Sequence, residues 1–130
     1  MKIPQQIVEA IYAQAAEEAP VEACGYLAGK GEEVTKHYPM TNIDQSAKHF
    51  TLDPKEQFAV IKQVRIEGLD IIGVYHSHPA TPARPSEEDI RLAYDPKISY
   101  VIASLADNQK TIKSFKIKNG TVEEERLEIG

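Results

Sequence analysis

Two histidines separated by one residue end an apolar stretch of the chain, and a serine and an aspartate follow them at short distances. From His76 to Asp89 the residues fit the pattern H-S-H-x7-S-x2-D, in which His78 is the second histidine and Ser86 the serine. Two imidazoles and a carboxylate are ligands that suit zinc, and three protein ligands leave a fourth position open for water. This set therefore indicates a catalytic metal centre rather than a structural one.

The segments around these residues predict how they meet. Residues 71–75 are mostly apolar and rich in β-formers, as in a buried strand. Because side chains at i and i+2 lie on one face of a strand, His76 and His78 are expected to point the same way. Prolines in the following loop delay the next helix, which begins at Ser86. Asp89 then lies in the first helical turn and can reach back to a metal at the strand end.

Each part of this pattern also has a simpler explanation. An H-x-H pair alone is a weak signal, because a solvated pair of histidines needs no function. The segment from Ser86 to Asp89 is a good capping box, with a serine N-cap and an acidic residue at N3. The two functions are compatible, since Ser86 can cap the helix while Asp89 binds the metal. The spacing from the strand end favours the metal centre.

A second block lies upstream, from Pro20 to Gly29, and has the form P-x-E-x-C-G followed by apolar residues and a glycine. Its glutamate is Glu22. Together with H-S-H-x7-S-x2-D, this block resembles the signature of the JAMM (JAB/MPN-plus) metalloproteases, and residues 50–54 resemble a further segment of that family. The resemblance extends over most of the chain, and all five active positions of the family are filled.

The resemblance implies the roles of individual residues. It implies one zinc ion per chain, with His76, His78 and Asp89 as its ligands. It also implies that Glu22 is the general base for attack by zinc-bound water, and that Ser86 stabilises the developing oxyanion. The residues alone do not distinguish Glu22 from two other glutamates near the end of the same predicted helix.

The resemblance also implies a substrate. The chain is similar to small standalone prokaryotic members of the family, which cleave amide bonds after the C-terminal Gly-Gly of ubiquitin-like β-grasp sulfur-carrier proteins. Such members release an amino acid such as cysteine, trim residues beyond the Gly-Gly, or separate carriers from target proteins, and the sequence does not choose among these reactions. A catalytically inactive MPN-type binding scaffold is the alternative, although such scaffolds lack the ligands. The chain has neither the H-x-E nor the P-C-x-x-C motif of a nucleobase deaminase.

The single cysteine and the two other histidines are interpreted as residues without a role in catalysis. Cys24 is the only cysteine, so no C-x-x-C motif exists, and a free cysteine usually behaves as a small buried hydrophobe. His37 and His49 stand in polar surroundings and are interpreted as surface histidines, with a position in a substrate groove as the alternative.

The composition limits the other functional classes. The chain has 130 residues, 42% of them hydrophobic, and is expected to form one domain over residues 1–130. Its net charge of −5, without a basic patch, argues against nucleic-acid binding. It shows no apolar signal region, no stretch of transmembrane length and no cysteine pair, so a cytoplasmic location without membrane contact is expected. The oligomeric state is not indicated.

Hydrophobic periodicity and turn residues predict an α/β fold, with a central, mostly antiparallel mixed sheet flanked by helices, as in the JAB/MPN fold. Asp53 is expected to cap the second helix. Helices are predicted over 3–19, 54–67 and 86–94, and strands over 24–28, 33–38, 70–78, 98–105, 111–118 and 121–129.

Three details of these elements can be compared directly with a structure. Phe58, Ile61 and Val64 are expected to form the buried face of the second helix. Residues 119–120, Asn-Gly, predict a type I′ turn between the last two strands. The glutamates at 123–125 are interpreted as a charged edge that discourages strand pairing.

Overall fold

The computed structural model describes the whole chain, from Met1 to Gly130. The helices are α1 (Gln5–Glu18), α2 (Pro54–Ile66) and α3 (Glu87–Arg91), with a short 3-10 turn at Ala106–Asn108. The strands are β1 (Lys2–Ile3), β2 (Cys24–Lys30), β3 (Glu33–Met40), β4 (Asp70–His78), β5 (Ser99–Ser104), β6 (Thr111–Lys118), β7 (Thr121–Glu125) and β8 (Glu128–Ile129). No helix combines the length and the apolar character needed to cross a membrane.

All eight strands belong to one mixed sheet in the order β7-β6-β5-β4-β2-β3-β1-β8. Four neighbouring pairs are antiparallel and three are parallel, which confirms the predicted sheet. Only Arg126 and Leu127 link β7 to β8, although these strands form opposite edges. In a flat sheet the outer strands would stand about 34 Å apart, which so short a link cannot span. The sheet therefore curls until its edges approach each other.

One face of the sheet packs against α1. Ile7 and Ile11 of the helix belong to a buried cluster with Leu27 of β2, Tyr75 of β4 and Val101 of β5. Removing these large side chains from water is the main stabilising contribution of this layer. Because side chains alternate along a strand, the residues next to Tyr75 in β4 point to the opposite face.

The opposite face carries two smaller apolar clusters, one on each side of β4. Tyr26 of β2 packs with Val60 of α2 in the first cluster. Ile102 of β5 packs with Phe115 of β6 and Ile90 of α3 in the second. The end of β4 therefore emerges between α2 and α3, which places its last side chains between two apolar walls.

The predicted cap and turn are confirmed. Asp53 Oδ1 accepts a hydrogen bond from the Lys55 N–H at 2.9 Å, and Pro54 occupies the first turn of α2. Asn119 and Gly120 have φ angles of 51° and 80°, and positive φ at both central residues is what a type I′ turn requires.

The predicted buried face of α2 is wrong at two of three positions. Val64 is 2% exposed, whereas Ile61 is 37% and Phe58 is 72% exposed. The helix is rotated so that Val60 and Val64, four residues apart, face the sheet. A spacing of three residues shifts each successive side chain by 60° around the helix, which carries Phe58 to the solvent side.

The predicted ends of the first and third helices are also wrong. The first helix begins at Gln5 rather than Ile3, because Pro4 caps it and Ile3 pairs with Ile129 in the sheet. The third helix ends at Arg91, and Tyr94, placed inside it by the prediction, is 82% exposed.

The last predicted strand is divided into β7 and β8, and its charged edge is only partly as expected. Glu123 and Glu124 are exposed at the sheet edge. Glu125 instead accepts hydrogen bonds from the hydroxyls of Ser99 and Ser114, at 2.5 Å and 2.6 Å. Its carboxylate therefore links β7 to β5 and β6 rather than facing solvent alone.

Candidate metal centre

Strands β2 and β4 bring Glu22 to the same face as the two histidines. When their antiparallel register is continued by two residues, Ala23 lies opposite Ser77 and Glu22 lies opposite His78. The Ala23 N–H donates to Ser77 Oγ at 2.8 Å, and the Ser77 N–H donates to the Ala23 carbonyl oxygen at 2.9 Å. The central serine of the H-S-H string thus holds the Glu22 segment in place.

Three ligand-type atoms converge at the end of β4. Nε2 of His76 lies 3.1 Å from Nε2 of His78, and Oδ2 of Asp89 lies 3.2 Å and 3.1 Å from these nitrogens. The three side chains are at most 8% exposed. In a tetrahedral zinc site with bonds of about 2.0 Å, ligand atoms stand about 3.3 Å apart. The three atoms therefore match one face of such a tetrahedron, and the donor set fits a divalent metal ion.

Contacts outside this cluster fix both imidazole rings. His78 Nδ1 lies 2.8 Å from the carbonyl oxygen of Pro82, which can only accept a hydrogen bond. Nδ1 therefore carries a proton, and Nε2 presents its lone pair to the cluster when the ring is neutral. The ring of Phe50 stacks on His76, with centroids 4.7 Å apart and planes inclined by 27°.

Ser86 and Asp89 form the capping box that the sequence predicts at the start of α3. The Asp89 N–H donates to Ser86 Oγ at 3.0 Å, and the Ser86 N–H donates to Asp89 Oδ2 at 2.9 Å. The oxygen that faces the histidines is thus held by the backbone as well. The Ser86 hydroxyl accepts in this pair and keeps its own proton for another partner.

In the metal-free cluster the electrostatics favour the metal-binding forms of Asp89 and His76, whereas they favour the protonated form of His78. Burial raises the pKa of Asp89, but hydrogen bonds to His76 and His78 outweigh it and hold that pKa well below its usual range. Burial lowers the pKa of His76. At His78, burial lowers the pKa, but the bonds to Asp89 and Pro82 outweigh it and raise the pKa overall. An ionised carboxylate and neutral imidazoles are the metal-binding states, and protons compete at low pH.

Glu22 is a buried carboxyl group with an unused oxygen. Its residue is 2% exposed, and Oε1 has no hydrogen-bond partner. Burial raises the pKa of Glu22 to about 8, while His78 lowers it and Asp89 adds to the increase. A carboxyl group desolvated in this way exchanges a proton near neutral pH, which is the property of a general base or acid.

A cavity of about 320 Å³ opens beside His76 and Asp89. Most of its wall is apolar and comes from the segments that follow β3 and α3 and from strands β5 and β6. The principal apolar residues are Phe50, Leu52, Leu92, Tyr100, Ile102 and Ile117. His49 lies at the edge of this cavity with 41% of its side chain exposed, so it is a surface histidine that also contributes to the cavity wall.

The sequence does not predict the contacts that hold the two imidazole rings, although Phe50 belongs to the segment 50–54 that resembles the family. Phe50 and Pro82 contact the two histidines from loops whose paths depend on tertiary structure. Cys24, in contrast, is confirmed as a buried small residue. Its Sγ lies 3.7 Å from the Met40 carbonyl oxygen, and burial raises the pKa of its thiol to about 12, with Glu18 adding to the increase.

The sequence and the fold match known proteins. Residues 4–118 match the family model Prok-JAB, the prokaryotic homologs of the JAB domain. The CysO-cysteine peptidase of Mycobacterium tuberculosis is 36% identical over 130 residues, covering 98% of this chain and 89% of that protein. The probable TtuB-protein conjugate cleaving protease of Thermus thermophilus is 36% identical over 101 residues, covering 77% and 67% of the two chains.

A solved structure has the same fold over the full length. The solution structure of a protein from Desulfitobacterium hafniense, 44% identical, covers 100% of this chain and 93% of its own, with a TM-score of 0.88. The family match spans most of the chain, and the named relatives are peptidases. This chain therefore belongs to the prokaryotic branch of the JAMM family and is a hydrolase of the metallopeptidase type.

Proposed function

We propose that this protein is a zinc-dependent peptidase that hydrolyses the amide bond after the C-terminal Gly-Gly of a ubiquitin-like sulfur-carrier protein. His76, His78 and Asp89 would hold one zinc ion per chain, with Glu22 and Ser86 as the catalytic residues. The observation that carries the proposal is the convergence of three ligand atoms, 3.1–3.2 Å apart, on the sheet face that also holds the buried carboxyl group of Glu22.

The metal and the carboxyl group have complementary tasks. Zinc held by this triad supplies a Lewis acid that polarises the scissile carbonyl and makes water acidic near pH 7. Glu22 accepts the proton of the attacking water and then donates it to the nitrogen of the departing amine. The carbon–nitrogen bond breaks as this proton arrives, which leaves a free Gly-Gly carboxylate and an amine. The unpaired Oε1 of Glu22 is free to make this transfer.

Ser86 has a hydroxyl proton that its capping role does not use. Its Oγ accepts from the Asp89 N–H, so the O–H can donate to the carbonyl oxygen as negative charge develops there. Removal of one such donor typically lowers kcat by a factor of about 100 to 1,000. We therefore assign Ser86 a smaller share of catalysis than the metal ligands.

The similarity to named relatives supports a ubiquitin-like substrate. One relative that covers 98% of this chain is named a CysO-cysteine peptidase. Release of a small amine such as cysteine from the carrier is accordingly the reaction that we favour. Two glycines in extended form have no side chains to clash with the walls beside the ligands, which suits a narrow approach to the metal.

Separation of the carrier from a target protein is the second candidate. It is favoured by the similarity to the probable TtuB-protein conjugate cleaving protease, which covers 77% of this chain. The chemistry of the site is identical for both reactions, because only the leaving amine differs. The two candidates therefore share the same ligands and base, and differ in what occupies the leaving-group side of the site.

One assay tests the proposal and separates the candidates. A carrier protein ending in Gly-Gly is extended by cysteine, or joined through its terminus to a lysine of a second protein, and its mass is followed after addition of enzyme and zinc. We expect release of the Gly-Gly carrier, loss of the reaction with a chelator, and its recovery with zinc. Cleavage of the cysteine form alone supports the first candidate, and cleavage of the conjugate alone supports the second. Cleavage of neither form by the zinc-loaded protein would contradict the proposal and favour a binding scaffold.

A further inference from the structure

The loop between β3 and α2 is organised around one buried amide side chain, that of Asn42. Its residue is 1% exposed and pairs with Leu52 in an isolated antiparallel bridge. Oδ1 accepts from the N–H groups of Asp44 and Thr51 at 3.0 Å and 3.2 Å. Nδ2 donates both of its protons to backbone carbonyl oxygens, so every hydrogen-bond donor of the amide is used.

The two donated bonds reach different parts of the site. One proton of Nδ2 goes to the carbonyl oxygen of Glu22 at 3.1 Å, and the other goes to the carbonyl oxygen of His49 at 3.0 Å. The same loop also accepts from the Glu22 N–H, through the Ser46 carbonyl oxygen at 2.8 Å. Both backbone polar groups of Glu22 are therefore bonded to a single loop whose shape depends on Asn42.

The Asn42 amide also holds the backbone on both sides of Phe50, whose ring stacks on the proposed ligand His76. Asn42 bonds to the carbonyl oxygen of His49 and to the N–H of Thr51, the residues on either side of Phe50. Phe50 in turn stacks on His76 at 4.7 Å. One side chain thus connects the backbone of Glu22 to the packing of the His76 ring.

We infer that Asn42 is a positioning residue that sets the location of Glu22 relative to the metal ligands. The inference rests on the proposed role of Glu22 as the base. Because Oε1 of Glu22 has no hydrogen-bond partner, the place of this carboxyl group is determined by its backbone and its packing. A misplacement of about 1 Å is enough to cost a factor of about 100 in rate.

The isosteric variant Asn42→Asp tests this inference. Aspartate keeps the shape of the side chain and its acceptor capacity, but cannot donate to the carbonyl oxygens of Glu22 and His49. At a temperature where the variant is folded, we expect kcat on the carrier substrate to fall by a factor of about 100, while KM changes less than about threefold. Ser114→Ala is the matched control, since it removes a hydrogen bond from a fully buried side chain on β6.

A second measurement does not depend on activity. In the metal-free protein, ring stacking by Phe50 shifts the NMR signals of the His76 ring protons. We expect Asn42→Asp to move these signals toward those of Phe50→Ala, and Ser114→Ala to leave them unchanged. If the wild-type protein cleaves no carrier, the proposed function fails while this NMR comparison still tests the positioning role.

Two outcomes would contradict the positioning role of Asn42. If Asn42→Asp has the turnover and the His76 signals of the wild type, or loses activity only in proportion to unfolding, Asn42 is a structural residue alone. Should the aspartate variant not fold, Asn42→Ser, which keeps one short donor, is compared in the same two measurements. A folded serine variant with wild-type kcat and unshifted His76 signals would then overturn the inference.

Discussion

The environment of Glu22 favours the protonated form of its carboxyl group, unlike the environment of a glutamate in water. Burial raises its pKa to about 8, and His78 opposes this effect. A bound cation would oppose it further, because a nearby positive charge favours the ionised form. The position of the proposed base next to the proposed ligands would therefore couple its protonation to metal binding.

The first prediction separates this base from the ligands. Glu22→Gln should keep the metal content of the wild type, since the glutamine amide leaves His76, His78 and Asp89 untouched. Its kcat should fall by a factor of about 100 to 10,000, because no group then accepts the proton of the attacking water. Turnover with the carrier substrate and zinc content are measured on the same preparation. Near wild-type turnover would remove Glu22 from the mechanism.

The second prediction concerns the ligands. His78→Ala should reduce zinc content far below one ion per chain, because a three-ligand site loses one of its two nitrogen donors. Elemental analysis after dialysis against a weak chelator measures the loss. His37→Ala is the control, since this half-buried histidine on β3 lies outside the cluster of three donors. Equal zinc content in both variants would show that His78 is not a ligand.

The third prediction concerns the two roles of Ser86. Ser86→Ala should lose about 1 kcal/mol of stability with its cap, and kcat should fall by a factor of about 100 or more. Ser86→Asp keeps a capping acceptor for the Asp89 N–H but has no hydroxyl proton to donate. Thermal melting and turnover of both variants separate the roles. A variant with restored stability and wild-type kcat would contradict the oxyanion role.

At the level of the elements, the local signals in the sequence predict most of the fold. The cap at Asp53, the Asn-Gly turn and the strand that carries the histidines depend on neighbouring residues, and all three are found as predicted. The convergence of His76, His78 and Asp89 follows from strand alternation and a helix start.

The parts of the fold that the sequence does not predict depend on long-range contacts. Ile3 pairs with a strand more than 120 positions away, and the orientation of α2 depends on how Val60 and Val64 fit the sheet. Phe50 and Asn42 reach the site through a loop that has no periodic pattern. No local preference encodes such long-range contacts, because tertiary packing decides them.

The fourth prediction belongs to the junction of β5, β6 and β7. Burial raises the pKa of Glu125, but hydrogen bonds from Ser114 and Ser99 outweigh it and lower the pKa overall. A depressed folded pKa stabilises the protein above the unfolded pKa, and this contribution is lost as the pH falls through the folded value. Glu125→Gln should therefore cost about 1 kcal/mol at pH 7.

The pH dependence checks this assignment. The difference in unfolding free energy between the wild type and Glu125→Gln should be constant from neutral pH to about 5 and shrink below about 4. Urea titrations at several pH values measure it. Glu123→Gln, on the same strand but with an exposed side chain, is the control and should show no such difference. A difference that grows toward low pH would contradict the sign of the shift.

The main hydrophobic core and the candidate metal centre lie on opposite faces of the sheet. The cluster around α1 lies on one face of the curled sheet, and the proposed ligands lie on the other. The backbone links across the centre, such as the bond between Ala23 and Ser77, also form without a metal. The fold should therefore not depend on zinc, in contrast to small zinc domains that are unfolded without it.

The last prediction follows from this separation. The metal-free protein should remain folded, and zinc at about 100 times its dissociation constant should add about 2.7 kcal/mol, because the unfolded chain has no assembled site. For a chain of this size the melting temperature should then rise by roughly 10 °C. Calorimetry with and without zinc measures the shift, and His78→Ala should abolish most of it. A metal-free protein without a cooperative transition would show that the site, rather than the layer around α1, holds the fold together.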